Sequence, residues 1–104
     1  MKSYSQRMRE TRRLILLRLL SEQNGYRANA ASLHIGLHSL DGLTCSRDDV
    51  LTDLAWLAEQ HLIDCEQTSS GVTVATLLQR GQDVVDGNAR VPGIAGPGLK
   101  QQPD

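Results

Sequence analysis

The stretch from Leu14 to Leu20 constrains the fold most strongly, because six of its seven residues are apolar and only Arg18 interrupts them. It lies within a run of good helix formers from about Ser5 to Gln23, and Ser3 or Ser5 is suited to cap the start. A surface helix shows an apolar stripe on one side only. This helix is apolar on nearly all sides, so it is either central in the domain or shared with another subunit.

A second helix is predicted from about Asn29 to Leu40. Asn29 is suited to cap its start, and Asp41-Gly42 breaks the pattern after it. Its apolar residues recur at helical spacing and predict a buried face. That face contains Leu33, Leu37 and Leu40, with Ala30 and Ile35 as neighbours.

A third helix is predicted to begin after Ser46 and to end near Gln60 or His61. Ser46 and Asp49 stand at the spacing of a capping box, with Asp in place of the usual Glu. Apolar residues then follow at helical intervals and predict an inward face. They are Val50, Leu51, Leu54, Leu57 and Ala58.

A β-hairpin and a short helix are predicted next, with strands over 62–67 and 72–77 and a turn at 68–71. Thr76 and Gln79 match a second capping box, which opens a helix that runs to about Asp86. Residues 88–104 are rich in Pro and Gly and have no apolar period, so they are predicted to form a flexible tail. The sequence therefore predicts one domain over residues 1–87 and a tail over 88–104.

The length of 104 residues suits a single domain. Its longest apolar run is far shorter than the ~20 residues of a membrane span, and it lacks the small-residue cleavage site of a secretory signal. Cys45 and Cys65 do not form a disulfide framework and are interpreted as reduced thiols. We therefore expect a cytoplasmic protein that does not enter the membrane.

The predicted order of helix, helix, helix, hairpin and helix resembles the winged-helix (winged helix-turn-helix) fold of bacterial regulators, which is mainly α with a small β-hairpin. Leu54 and Leu57 followed by Leu62-Ile63 carry most of the resemblance. The segment Leu77-Leu78-Gln79-Arg80-Gly81 resembles the LTxxG that closes the wing in these families, with Leu78 in place of Thr. The segment SRDDVLTDLAWLAEQ is similar, more narrowly, to small winged-helix proteins of Mu-like phages and prophages.

This resemblance implies a DNA-binding, transcription-regulator-like protein, in which the start of the third helix enters the major groove. Charge gives partial support, because residues 1–40 carry seven basic and two acidic side chains, whereas residues 41–104 carry four basic and ten acidic ones. The predicted base contacts are Arg47 and Thr52. The predicted phosphate contacts are Arg9, Arg12, Arg13 and Arg27.

The alternative prediction is a winged helix that binds another protein rather than DNA. Asp48, Asp49 and Asp53 are predicted to share one face of this helix with the base contacts and would repel phosphate, and the wing turn has no basic residue. Asp48 and Asp49 also have a purely structural interpretation, because acids in the first turn favour the helix dipole. The predicted protein contacts are Leu16, Leu20 and Trp56, with Trp56 either exposed or packed against the hairpin. A homodimer through the first helix is predicted for the DNA-binding protein.

No catalytic motif is found, so the chain is predicted not to be an enzyme and to need no cofactor. His34 and His38 stand at i and i+4 on one helix face, a spacing that can hold a metal. No third ligand follows at a diagnostic distance, so a metal site is not predicted.

Overall fold

The computed structural model describes residues 1–96, which form an α+β domain of four α-helices and a three-stranded antiparallel sheet. The elements are α1 (Tyr4–Ser21), β1 (Arg27–Asn29), α2 (Ala30–Asp41), α3 (Arg47–Glu59), β2 (Ile63–Gln67), β3 (Thr73–Leu77) and α4 (Gln79–Val85). Among these residues, no helix has the length and apolar character needed to cross a membrane.

Helix α1 runs through the centre of the domain. It begins after Ser3, whose Oγ accepts a hydrogen bond from the Gln6 amide at 3.1 Å. Its apolar run packs against α2, α4 and the sheet. The side chains of Leu14, Leu16, Leu17, Leu19 and Leu20 are all buried there. Of the two alternatives for this helix, a central position is the one that the structure supports.

Helices α2 and α3 begin where the capping residues predict. The Asn29 side chain accepts a hydrogen bond from the Ser32 amide at 2.8 Å, and Ser46 and Asp49 form the reciprocal capping box. The predicted inward face of α2 is partly wrong, because Leu33 and Leu37 are buried but Leu40 is 72% exposed. Ile35 is also exposed, at 63%, so α2 has an apolar outer side as well as an inner one.

The sheet has the order β1-β3-β2, with β3 in the centre. The predicted hairpin is confirmed, and its register pairs Gln67 with Thr73 and Ile63 with Leu77. The predicted order of elements lacks strand β1, which pairs with the edge of β3 that β2 leaves open. The prediction that Thr76 caps α4 is wrong: Thr76 lies within β3, and Leu78 occupies the cap position without a side-chain hydrogen bond.

Residues 88–96 depart from the predicted flexible tail, because several of them pack on the domain. Val91 and Ile94 are buried in the same core as the helices. The Ala95 amide donates a hydrogen bond to the Glu10 carbonyl of α1 at 3.2 Å. Two apolar residues are too few to produce a periodic signal. The Pro- and Gly-rich composition of this segment therefore predicted a tail. The rest of that prediction, residues 97–104, lies outside the described residues.

Candidate functional site

A buried ionic cluster joins α1 to α3. Asp53 of α3 is fully buried, and Arg12 of α1 donates a hydrogen bond from Nε to its Oδ2. Arg13 Nε lies 3.6 Å from Asp53 Oδ1, an ion pair without a hydrogen bond. The Arg12 and Arg13 side chains are only 16% and 12% exposed. The prediction that they contact phosphate is therefore wrong, because both are directed at a carboxylate of the same chain.

Hydrogen bonding stabilises the charged form of one arginine in this cluster, whereas burial destabilises the charged form of the other. The hydrogen bond to Asp53 raises the pKa of the Arg12 guanidinium, whereas burial lowers the pKa of Arg13. Two further contacts stabilise the buried guanidinium of Arg13. Its guanidinium lies 3.9 Å from the centroid of the Trp56 ring, and its Nη1 donates to the Gly93 carbonyl at 2.9 Å.

Trp56 is half-buried beneath the segment that follows α4, which neither interpretation of the sequence anticipated. A Cβ at Gly93 would lie 2.7 Å from Trp56 Cζ2, and the φ of Gly93 is +99°. Only glycine allows the backbone both this conformation and this approach to the indole. Trp56 therefore packs within its own chain against Arg13 and the Gly93 segment, and its predicted role as an exposed protein contact is wrong.

Gly93→Ala is expected to destabilise the domain by about 1–3 kcal/mol, because its Cβ overlaps a rigid indole and the φ is strained. Gly96→Ala is the matched control. Its Cβ would meet Arg90 Nη2 at 2.8 Å, the far end of a flexible side chain that can move away. Denaturant unfolding followed by Trp56 fluorescence measures both. Equal stability of the two variants would show that residues 88–96 do not hold Trp56 in solution.

A second ionic contact lies near the start of α1. Lys2 Nζ donates to Glu10 Oε1 at 2.7 Å, and this hydrogen bond lowers the pKa of Glu10 below its usual range. Burial of Glu10, whose side chain is 7% exposed, acts in the opposite direction and is the smaller effect. Lys2 therefore serves a carboxylate in its own chain.

The outer side of α3 carries the two predicted base contacts, Arg47 and Thr52, and both are exposed. Leu51 and Ala55 lie on the same side and are also exposed. Because Asp53 points inward, it does not contribute negative charge to this side of the helix. The hypothesis that three aspartates share that side is therefore wrong for Asp53.

Asp48 and Asp49 remain at the start of α3, and Asp49 has a structural partner. Its carboxylate accepts a hydrogen bond from the Ser46 amide at 3.1 Å, which lowers its pKa. The positive charges of Arg12 and Arg9 lower this pKa further. The Asp49 carboxylate therefore caps the start of α3, and the nearby positive charge of Arg9 stabilises its ionised form.

A cleft between the start of α1 and the loop before α3 brings Arg9 next to several hydroxyl groups. Arg9 is exposed, in contrast to Arg12 and Arg13. The cleft is lined by Tyr4, Ser5, Met8, Arg9, Arg12, Leu43, Thr44 and Asp49. A guanidinium that shares a cleft with hydroxyl groups can bind a phosphate, whereas the Asp49 carboxylate in the same cleft opposes this through its negative charge.

Arg27, the fourth predicted phosphate contact, lies apart from this cleft on strand β1. Its Nη2 is 3.6 Å from Glu66 Oε1 on β2, and both side chains are more than half exposed. An exposed pair of this length contributes little to stability and exchanges readily with another ligand. The hairpin turn at 68–71 is exposed and has no basic residue.

The predicted protein contacts Leu16 and Leu20 are both 0% exposed in the monomer core, so that prediction is wrong. The sequence predicted a surface role for them because the helix is apolar on nearly every side. A core that surrounds a central helix satisfies the same pattern.

Within residues 1–96, a hydrogen bond holds His34, and both thiols are partly buried. His34 Nε2 lies 2.7 Å from the Cys45 carbonyl oxygen, which fixes the ring on the loop before α3. No group of three metal-ligating side chains occurs within residues 1–96. Burial raises the pKa of both Cys45 and Cys65, so both remain thiols rather than thiolates at neutral pH.

The spacing of the apolar residues in α3 is a sequence signal that Asp53 is buried. Asp53 stands three residues after Val50 and four before Leu57, both of which are on the buried side of α3. A carboxylate at that position must have a buried cationic partner. The arginines of α1 were the available candidates.

Two proteins are similar to this chain over most of its length. An uncharacterized protein of Escherichia phage Mu, gp26, is 44% identical over 88 residues, which is 85% of this chain and 88% of the phage protein. An uncharacterized protein of Haemophilus influenzae is 42% identical over 78 residues, which is 75% of this chain and 74% of that protein. No family model matches the chain, and no solved structure is detectably similar. The predicted relationship to proteins of Mu-like phages is confirmed.

Proposed function

We propose that this chain is a winged-helix protein that binds duplex DNA. The chain belongs to the family of the phage Mu protein gp26 and its Haemophilus influenzae relative. The observation that carries this proposal is the exposure of Arg47 and Thr52 on α3 and of Arg9 on α1. Arg9 lies far from α3 in the sequence, but it lines the same cleft as Asp49 at the start of α3.

The arrangement of the elements supports a winged-helix fold. Helices α2 and α3 follow each other across a short loop, as the two helices of a helix-turn-helix do. The hairpin of β2 and β3 comes directly after α3, in the position of a wing, and β1 completes a small sheet. In such a fold the outer side of α3 is the part that enters the major groove.

The proposed roles follow the chemistry of the exposed groups. In this proposal Arg47 donates two hydrogen bonds to guanine, and Thr52 contacts a base or the thymine methyl group. Arg9 binds a backbone phosphate, assisted by the hydroxyls of Tyr4 and Thr44 in the same cleft. Arg27 is kept as an outlying phosphate contact that must first leave Glu66.

Arg9→Ala is expected to weaken binding to a pool of random DNA duplexes and to reduce the salt slope by about one phosphate contact. Arg47→Ala is expected to cost about 1–3 kcal/mol on duplexes selected for tight binding. Fluorescence anisotropy at about 50 mM and about 200 mM salt measures both, because phosphate contacts lose affinity as salt rises.

Arg7→Ala is the matched control for Arg9→Ala. It removes the same charge from the exposed surface of α1, but two residues along a helix the side chain points to a different side. Equal losses for the two variants would indicate nonspecific attraction. Absence of binding at low salt, or binding that salt does not weaken, would contradict the proposal.

A second candidate is a protein-binding role for the same side of α3, and one surface feature favours it. A groove between α3 and the hairpin is lined by Leu51, Leu54, Ala55, Cys65, Glu66, Gln67 and Thr73. Its single charge is the acidic Glu66, and Glu59 and Asp64 are exposed on the neighbouring elements. This surface suits an apolar partner with basic groups. The salt titration separates the two candidates, because only the first requires binding to DNA.

A further inference from the structure

Strand β2 forms one edge of the sheet, and half of its backbone groups have no partner within residues 1–96. The Leu78 amide donates to the Leu62 carbonyl at 3.0 Å, and the Thr68 amide donates to the Val72 carbonyl at 2.9 Å. In this antiparallel register the even-numbered residues of β2 bond to β3. The amides and carbonyls that point away from the sheet therefore belong to the odd-numbered residues Ile63, Cys65 and Gln67. Such a row of donors and acceptors is a template for one more strand.

The groove between α3 and the hairpin lies beside this open edge. On its α3 side Leu51 is 36% exposed and Ala55 is also exposed. The Cys65 thiol donates to the Leu54 carbonyl at 3.8 Å, so the inner face of β2 packs against α3. Side chains alternate between the two faces of a strand. A strand added to β2 would therefore direct every second side chain towards Leu51 and Ala55, where apolar side chains fit best.

The outer face of β2 is acidic and sets the chemistry of the other half of an added strand. Asp64 and Glu66 are both exposed on this face. No Lys or Arg occurs between Arg47 and Arg80, whereas this stretch contains six Asp and Glu residues. Glu66 already has the guanidinium of Arg27 at 3.6 Å. Neighbouring side chains on the outer face of an added strand should therefore be basic, because opposite charges across a strand pair stabilise it.

The same charges argue against a second copy of this chain as the added strand. Two β2 strands that paired edge to edge would bring the carboxylates of Asp64 and Glu66 from both copies together on one face. Like charges on neighbouring strands destabilise the pair, and charged edge strands prevent self-pairing in many proteins. A basic strand is the kind that these carboxylates attract.

We infer that β2 accepts an extended segment of a partner protein as a fourth strand, and that basic and apolar residues alternate along this segment. The backbone of the segment would bond to the free groups of β2, and its side chains would provide the specificity. Such a segment would be the partner in the protein-binding candidate above, so this step rests on that candidate and is independent of DNA binding.

The probe for the test is a capped peptide of about seven residues in which lysine and valine alternate, long enough to pair along the whole of β2. In an NMR titration of the full chain, the peptide is expected to shift the amide signals of Ile63, Cys65 and Gln67. The signal of Ala28, on the opposite edge of the sheet, is expected to stay in place.

Two N-methylated versions of the peptide test whether its backbone forms the contact. One version has the methyl groups on the valine amides and the other has them on the lysine amides, so the two block opposite edges of the peptide strand. Both keep the charge and the side chains. One version is expected to bind at least about tenfold more weakly than the parent peptide, and the other to bind as the parent does.

Variants of the chain test the two faces of the contact separately. Gln67→Pro removes an amide that β3 does not use, so it is expected to weaken peptide binding at least about tenfold and to leave the free energy of unfolding nearly unchanged. Gln67→Ala keeps that amide and is expected to bind as the wild type does. Asp64→Lys is expected to weaken binding, whereas Glu22→Lys makes the same charge change at an exposed position on α1 and is expected not to.

Equal binding of the two N-methylated versions would overturn the inference, because charge alone would then explain the attraction. Shifts that map to α1 or β1, or the absence of binding at millimolar peptide, would also overturn it. None of these measurements contains DNA, so a failure here is distinct from a failure of the salt titration with duplex DNA.

Discussion

Asp53→Ala is expected to lower the free energy of unfolding by about 3–5 kcal/mol, because it leaves two arginines buried without their carboxylate. Arg12 and Arg13 both point to Asp53, and their side chains are mostly shielded from water. A buried pair adds little net stability compared with apolar residues, but removing one partner exposes the full cost of the remaining charge. Urea unfolding, followed by circular dichroism, measures the loss.

Asp48→Ala is the control for this variant, because it removes a carboxylate from the same helix at an exposed position. Its loss is expected to stay near the roughly 0.3–1 kcal/mol that a first-turn acid contributes through the helix dipole, at most about a third of the loss at Asp53. A triple change of Arg12→Met, Arg13→Met and Asp53→Leu is expected to recover much of the stability, since apolar replacement of a buried ion cluster is often neutral. Similar small losses for Asp53→Ala and Asp48→Ala would mean that water reaches the cluster.

The helix starts were predictable because the signals that place them are local. Ser3, Asn29 and Ser46 each accept a hydrogen bond from an amide three residues later, and a short stretch of sequence contains the whole interaction. The hairpin was predictable for the same reason, since its turn and its β-branched second strand are adjacent in the chain. Local chemistry therefore determined the boundaries of most elements.

The elements that the sequence did not predict depend on contacts between distant residues. Strand β1 has three residues, and it exists because β3, nearly 50 residues later in the chain, offers it a free edge. A glycine is required at position 93 because Trp56 of α3 and Arg13 of α1 pack closely against its backbone. No periodicity within residues 27–29 or 88–96 could reveal either contact.

The candidate site was only partly predictable, because the number of arginines on α1 did not show which of them are free. Four consecutive turns of α1 carry basic residues, and the fold directs Arg12 and Arg13 inward while Arg9 stays exposed. The direction of each side chain depends on which side of α1 meets α3. The same dependence explains why Leu40, which fits the spacing of an inward residue, is exposed at the end of α2.

Leu16→Ala is expected to destabilise the domain by about 2–5 kcal/mol, because it removes buried methyl groups and leaves a cavity in the middle of the core. Leu16 is fully buried and lies in the same cluster as Leu54, Leu57 and Leu62. A domain of this size has a total stability of roughly 5–15 kcal/mol, so this loss is a large fraction of it. Thermal unfolding is expected to shift by roughly 4–8 °C for each kcal/mol.

Leu40→Ala is the matched comparison, since it makes the same chemical change at an exposed position. In dilute protein it is expected to change the stability by less than about 0.5 kcal/mol. The dependence on concentration separates a core residue from an interface residue, because dimerisation stabilises the folded state by mass action. The loss at Leu16 should be the same at low and high protein concentration, because Leu16 is fully buried within one chain. A loss at Leu16 that grows with concentration would indicate that α1 is shared between two subunits. It would contradict the position of α1 at the centre of the monomer.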